Sequence, residues 1–361
     1  MWIVKVFFLI LFDFARTHGI FAFSYGIIGY SQWKSPVFLR FASFFGVTGV
    51  SFLIYFVDSV FCKFILPMNR RLILGLSVIF CIFLGVFMLY FFPGSKSNTS
   101  SIDVALIQNS SSASSHSISD FEKDAELLKR LTDNALQKFP QTELVVWGET
   151  AIVPDILYHA GNSSDSRRHA LATDLLDYFM SKNCAFLIGN NHIDSLGIHN
   201  SAVFFDTQSQ EIGVYNKNHL VPFTEFWPEF LDYKMFDGLK EVLNCDFFSP
   251  GKEVTIFKIN NFHFASPICF EDSFPSLFRK MKSGGADFFI NITDDAWSRS
   301  KAAQKMHLSM SVFRAAEFRS SVVRATIDGK TCVINSKGKI VAEIESGIDG
   351  FLCERVEIPI E

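Results

Sequence analysis

The chain has 361 residues, is 49% hydrophobic with 42 Phe, and has a mean hydropathy of +0.23. That is too apolar for an ordinary soluble enzyme, and a net charge of -4 gives no case for nucleic-acid binding. Seven scattered cysteines without a CxxC pair argue against a zinc site and a disulfide framework, and leave room for one working thiol.

Residues 1–94 read as a membrane region with about three transmembrane helices. Residues 72–92 carry no charge, follow Arg70 and Arg71, and end at Pro93-Gly94-Ser95. Residues 41–57 form a second apolar segment, interrupted at Asp58. Residues 1–14 form a third, which carries Lys5 and Asp13. Asp13, the lack of a small-residue cleavage site and the apolar segments that follow argue against a signal peptide. Lys63, Arg70 and Arg71 sit between the second and last segments, so the positive-inside rule puts that loop in the cytoplasm. Everything after Pro93 is then expected outside, although Arg16, Lys34 and Arg40 on the opposite loop count against this orientation.

From residue 95 to residue 361 the pattern is that of one α/β domain. Residues 102–108 predict a strand and residues 120–139 a helix capped by Asp120 or Ser119. Strands follow at 144–147 and 185–189, separated by a helix at 167–180. Residues 201–215 predict a hairpin, 286–290 a strand, 302–318 a helix, and 322–341 a hairpin turning at Ser336-Lys337-Gly338.

Three apolar strands end in polar residues: Gly148-Glu149-Thr150, Asn216-Lys217-Asn218-His219 and Cys269-Phe270-Glu271. Catalytic groups collect at one end of a sheet, where loops position them. An isolated cysteine is more often a core residue, and an isolated strand-end Glu or loop Lys is ordinary. Together they form a coherent set. Glu149 takes the thiol proton, Lys217 holds the thiolate and the developing oxyanion by charge, and Cys269 attacks a carbonyl to give a thioester. The sequence has no Walker loop or GxGxxG motif, and its histidines are not paired at ligand spacing, so no cofactor or metal is expected.

The blocks Trp147-Gly148-Glu149-Thr150-Ala151, Lys217-Asn218-His219-Leu220-Val221-Pro222-Phe223-Thr224-Glu225, Ile268-Cys269-Phe270-Glu271 and Asn291-Ile292-Thr293-Asp294-Asp295-Ala296-Trp297 resemble the nitrilase superfamily of carbon-nitrogen hydrolases. More narrowly they resemble its membrane-embedded branch, the apolipoprotein N-acyltransferases. Gly29-Tyr30-Ser31-Gln32 and residues 45–52 resemble the last membrane segments before that family's catalytic domain.

The resemblance implies a nitrilase-like four-layer αββα sandwich at 95–361, preceded by the N-terminal transmembrane helical region. It implies Glu149 as base, Lys217 as oxyanion and thiolate partner and Cys269 as nucleophile, with Glu225 and Glu271 as supporting carboxylates. It further implies a ping-pong reaction without a cofactor. A phospholipid is the acyl donor, and the N-terminal diacylglyceryl-cysteine of an apolipoprotein is the acceptor. The implied location is the bacterial inner membrane, multi-pass, with the catalytic domain on the periplasmic side.

Residues 226–248 are aromatic for a loop. Trp227, Phe230, Tyr233 and, further on, Trp297 are candidates for a lid or for lipid contact, against packing on the domain's own core. The chain departs from the family at Gly148, where Pro is usual, and at Phe270, where Tyr is common. It also shows fewer membrane segments, as if the first half of the usual membrane domain were lacking. Two rival readings use the same residues: a membrane-anchored amidase or nitrilase-type hydrolase with water as acceptor, and an inactive truncated remnant that binds lipid.

Overall fold

The computed structural model describes residues 2–19, 22–64, 77, 80, 81, 84, 85, 99–110, 117–207, 211–228, 233, 238, 248–298 and 300–360. Two six-stranded sheets carry the fold. The first has the order β12-β1-β2-β3-β4-β5, with β1 at Thr99–Gln108, β2 at Leu144–Trp147, β3 at Ala185–Asp194, β4 at Gly197–Asp206, β5 at Glu211–Asn216 and β12 at Gly350–Pro359. The second has the order β11-β10-β9-β8-β7-β6, with β6 at Phe257–Ile259, β7 at Phe262–Ala265, β8 at Phe288–Asp294, β9 at Val322–Ile327, β10 at Cys332–Ile334 and β11 at Ile340–Glu343. In each sheet a parallel trio (β1, β2, β3 and β7, β8, β9) is flanked by antiparallel strands.

Strand alternation sorts the residues into layers. Ile102, Val104 and Leu106 of β1 join a core that continues into Phe264, Ile290 and Val323 of the other sheet. Ala105 and Ile107, one position out of phase, face the opposite way. There they meet Phe121 and Leu128 of α3 (Ile118–Lys138) and Leu175 and Phe179 of α5 (Ser166–Met180); the short α4 (Ile156–Ala160) lies alongside. On the far side of the second sheet the ring of Phe278 of α6 (Pro275–Ser283) lies tilted, 4.8 Å from that of Phe289, and Phe318 of α7 (Lys301–Phe318) packs on both. Helix, sheet, sheet, helix is the four-layer order expected of a nitrilase-like α/β fold.

The expected 322–341 hairpin is two reversals: β9 pairs with β10 and β10 with β11. The Gly338 turn closes only the second. The tip of the 201–215 hairpin lies outside the described residues.

Ahead of this domain, α1 (Trp2–Arg16) packs on α2 (Pro36–Phe64), with a 3-10 turn at Ile28–Gln32 between them. Among the described residues one helical stretch, Pro36–Ser59, is long and apolar enough to cross a membrane. α1 has 15 residues, fewer than the ~20 a straight crossing needs. Segment 72–92 lies almost wholly outside the described residues. Two of the charges that interrupt the apolar segments meet each other, and the third takes a hydroxyl partner. Lys5 Nζ is 3.2 Å from Asp58, and the Tyr55 hydroxyl donates to Asp13 at 3.0 Å. Pairing of this kind lets polar groups sit in an apolar helix pair.

Candidate active site

Glu149, Lys217 and Cys269 converge at the C-terminal ends of β2, β5 and β7. Two residues beyond β2, Glu149 follows Gly148, where the backbone has little room. A Cβ on Gly148 would lie 2.9 Å from Ile327. A Cβ on Gly189 of β3 would lie 2.5 Å from Thr150 N and 2.6 Å from Glu149 Cα. These two glycines let the strand ends close under the carboxylate. Thr150 then turns the chain away at a φ of 48°.

Lys217 follows β5 directly and is fully buried. Its Nζ lies 2.9 Å from Glu149 Oε1 and 2.8 Å from Glu225 Oε1. Asn200 Nδ2 donates to the same two oxygens, at 2.8 and 2.9 Å. The second oxygens are also held: Glu149 Oε2 accepts the Asp294 N–H at 2.8 Å, and Glu225 Oε2 accepts the Val221 N–H at 2.7 Å. Burial drives Lys217 toward its neutral form, but the Glu149 and Glu225 charges outweigh it and hold its ammonium well above the ordinary range. For Glu149, burial acts upward and is outweighed by the Lys217 charge and by the Asn200 and Asp294 donors. Its carboxyl therefore sits below the ordinary range. Lys217 is a fixed cation and Glu149 a resting anion.

Cys269 opens a 3-10 turn, Cys269–Ser273, at a φ of 49°. A non-glycine residue in this left-handed region is uncommon and frequent at strained functional turns. Its thiol faces the Asp294 carbonyl at 3.9 Å. Burial and then the Glu149 charge push the thiol well above its ordinary range, with Lys217 opposing. The resting pair is a neutral thiol beside a carboxylate. A carboxylate so placed is able to take the proton as the sulfur attacks, without a preformed thiolate.

Glu271 works one layer back. It accepts N–H bonds from Ile268 (2.8 Å), Asn218 (2.7 Å) and His219 (3.1 Å), and the Tyr215 hydroxyl at 2.9 Å. One buried carboxylate thus clamps the chain after Lys217 to the turn that carries Cys269. Burial pushes this carboxyl up to about 7, against the Ile268 donor and the Lys217 charge.

Several contributors were missed in the sequence. Asn200 is one; the β4–β5 ladder pairs Ser201 with Asn216, which sets Asn200 beside Lys217. A second group lies under Cys269. His307 Nε2 donates to the Cys269 carbonyl at 3.1 Å, while its Nδ1 faces Asp295 at 2.7 Å. Arg324, fully buried, bridges Asp295 (3.0 Å) and Asp272 (3.1 Å). A third comes from the N-terminal segment. Tyr25 lies edge-on to Trp297 and 5.9 Å from the His307 ring, and Phe23 is 6.3 Å from Phe270.

The lid candidates separate. Trp297 and Tyr233 are 56% and 63% exposed, whereas Trp227 is buried edge-on to Phe223. Phe230 lies outside the described residues. Among the described residues no group of three or more His, Cys, Asp or Glu is placed to hold a metal ion.

Comparison with known proteins accounts for this architecture. The carbon-nitrogen hydrolase family model matches residues 103–355, and the apolipoprotein N-acyltransferase N-terminal domain model matches residues 1–60. The chain is 33% identical to apolipoprotein N-acyltransferase 1 of Treponema denticola, over 98% of its own length and 70% of that protein's. It belongs to the apolipoprotein N-acyltransferase family. Apolipoprotein N-acyltransferase 1 of Treponema pallidum is 32% identical over 96% of this chain and 69% of that one. Among solved structures, a carbon-nitrogen hydrolase from Helicobacter pylori shares the fold, with a TM-score of 0.52, 18% identity, and coverage of 71% of this chain and 89% of that one.

Proposed function

We propose that this family member moves a fatty acyl chain from a phospholipid to the N-terminal diacylglyceryl-cysteine of apolipoproteins, through a thioester on Cys269. The observation that carries the reading is Lys217, buried and shared by Glu149 and Glu225, next to a thiol on a left-handed turn. In the first half-reaction the Cys269 sulfur attacks the glycerol ester carbonyl, and its proton passes to Glu149. Lys217 stabilises the oxyanion. Collapse expels the glycerol oxygen, which leaves as a lysophospholipid with the proton from Glu149. In the second, the neutral α-amine attacks the thioester carbonyl. Glu149 takes the amine proton and returns it to the departing sulfur, so enzyme and protons balance.

Residues 1–94 are read as the membrane region and 95–361 as the catalytic domain, multi-pass in the inner membrane with the site on the periplasmic face. Supporting this are the apolar stretch Pro36–Ser59 and the cationic loop of Lys63, Arg70 and Arg71. Exposed Trp297 and Tyr233 suit contact with lipid at that face.

The test supplies a diacylated lipopeptide and phospholipid vesicles and follows product masses. An acyl amide on the peptide and a lysophospholipid are expected. Free fatty acid without amide would favour the hydrolase. Absence of amide while Cys269 remains alkylatable would overturn the transferase. A hydroxylamine-sensitive acyl adduct that survives Cys269→Ala would refute the nucleophile.

A further inference from the structure

α2 breaks at Gly46, whose φ of 67° and ψ of 178° leave the helical region. A break inside a helix frees a backbone N–H, and a buried donor needs an acceptor. The Val47 N–H finds it in Glu317 Oε1 of α7, at 2.6 Å. Glu317 Oε2 is 2.8 Å from Arg314 Nη2, one turn earlier on the same helix. Arg314 is fully buried and reaches in two further directions. It donates to the Tyr30 hydroxyl oxygen at 3.3 Å and to the Asp272 carbonyl at 3.5 Å, three residues after Cys269. Alongside, the Ser24 hydroxyl donates to the Ser273 carbonyl at 3.1 Å.

Adhesion does not need these charges. Leu39, Ala42, Val47 and Val50 of α2 already share a core with Val312 and Phe313 of α7. A buried ion pair adds little to such a contact, and hydrophobic replacements are often as stable. What it adds is register. The N–H that meets Glu317 belongs to Val47, directly after the positive φ of Gly46, so the contact marks one position along α2.

We propose that Glu317 and Arg314 are a positioning pair for acyl transfer. They fix the break in α2 against the turn that carries Cys269, so that a donor lodged in the bilayer meets the thiol at one height. This rests on the transferase reading above. It assigns the pair no contact with substrate, only control of where the site stands relative to the apolar helix.

The full chain in proteoliposomes provides the test. Two readouts are compared: hydroxylamine-sensitive acylation of Cys269 by vesicle phospholipid, and alkylation of the same cysteine by iodoacetamide, read on its peptide. Two variants attack the joint from opposite sides. The double variant Arg314→Met/Glu317→Met removes both charges together, leaving neither orphaned. Gly46→Ala disfavours the break while leaving both charges of α7 in place; its methyl would lie 3.5 Å from Glu317 Oε1, an ordinary contact distance. In both, acylation is expected to fall about tenfold or more while alkylation stays within about twofold, the mark of a misplaced donor beside an intact site. Unchanged acylation in both variants, or acylation and alkylation falling in step, overturns the proposal. If the wild-type thiol is alkylated but never acylated, the transferase reading fails instead. Acylated wild type with unaffected variants rejects only the positioning pair.

Discussion

The backbone N–H of Asp294 donates to Glu149 Oε2 over 2.8 Å, and the carbonyl of the same residue faces the Cys269 sulfur. The end of β8 therefore touches both the proposed base and the proposed nucleophile. This geometry separates thiol reactivity from turnover. Glu149→Gln should lower acyl transfer by about 10²-fold or more, the scale of a lost general base. It should also speed Cys269 alkylation at neutral pH, because the Glu149 charge is the strongest charge pushing the thiol up. Lys217→Met should slow alkylation, since its cation acts the other way. Alkylation rates from pH 6 to pH 10 measure both; unchanged rates in both variants would contradict a charge effect of either residue on the thiol.

Asn200 bridges Glu149 and Glu225 through one amide nitrogen. Asn200→Asp keeps the shape, removes the donor and adds a charge beside two carboxylates. Hydrogen bonds to charged groups are worth about 1.5–3 kcal/mol. A loss in kcat of roughly tenfold to a hundredfold is expected, with a small change in KM for the lipopeptide. A change confined to KM would place Asn200 at substrate binding instead.

Much of this site was legible at the ends of strands, because apolar runs followed by single polar residues are local signals. Glu149, Lys217 and Cys269 are each ordinary on that ground and form a set only when taken together. What escaped was non-local. β12 reaches β1 from the far end of the chain, through a register that runs from Thr99–Pro359 to Gln108–Gly350. Asn200 acquires meaning only once β4 and β5 are paired. Asp272 and Arg324, buried together, look in the sequence like ordinary surface charges. The apolar pattern of α2 runs through Gly46 without marking the break, because the acceptor that stabilises it lies 270 residues away.

Gly189 shows how the second strand end shapes the first. A Cβ there would press on backbone atoms, 2.5 Å from Thr150 N and 2.6 Å from Glu149 Cα, so no side chain can yield to make room. Overpacking of this kind costs about 1–3 kcal/mol. Gly189→Ala is expected to fold with a lowered Tm and to lose about tenfold or more in acylation rate, since Glu149, the proposed base, is displaced. Full activity at reduced stability would mean that the strand end relaxes without moving Glu149.

Arg324 is the counter-ion of two fully buried carboxyls, Asp272 and Asp295. Burial alone pushes Asp295 up, yet the Arg324 and His307 charges hold it below its ordinary 3.8; for Asp272 burial prevails and the carboxyl is raised despite Arg324. Arg324→Met removes the shared cation, so burial should raise both. Removing one partner of a buried pair costs about 3–5 kcal/mol. The pH dependence gives the sign. A carboxyl raised in the folded state binds its proton more tightly there than in the unfolded chain. Its contribution to stability is fully present below the unfolded pKa and is lost as pH rises through the folded pKa. The variant should therefore unfold at a lower temperature at pH 8 than at pH 5, and the gap to wild type should widen over that range. Thermal unfolding in detergent at both pH values is the measurement. A gap that stays constant would mean that Asp272 and Asp295 find other donors when Arg324 is gone.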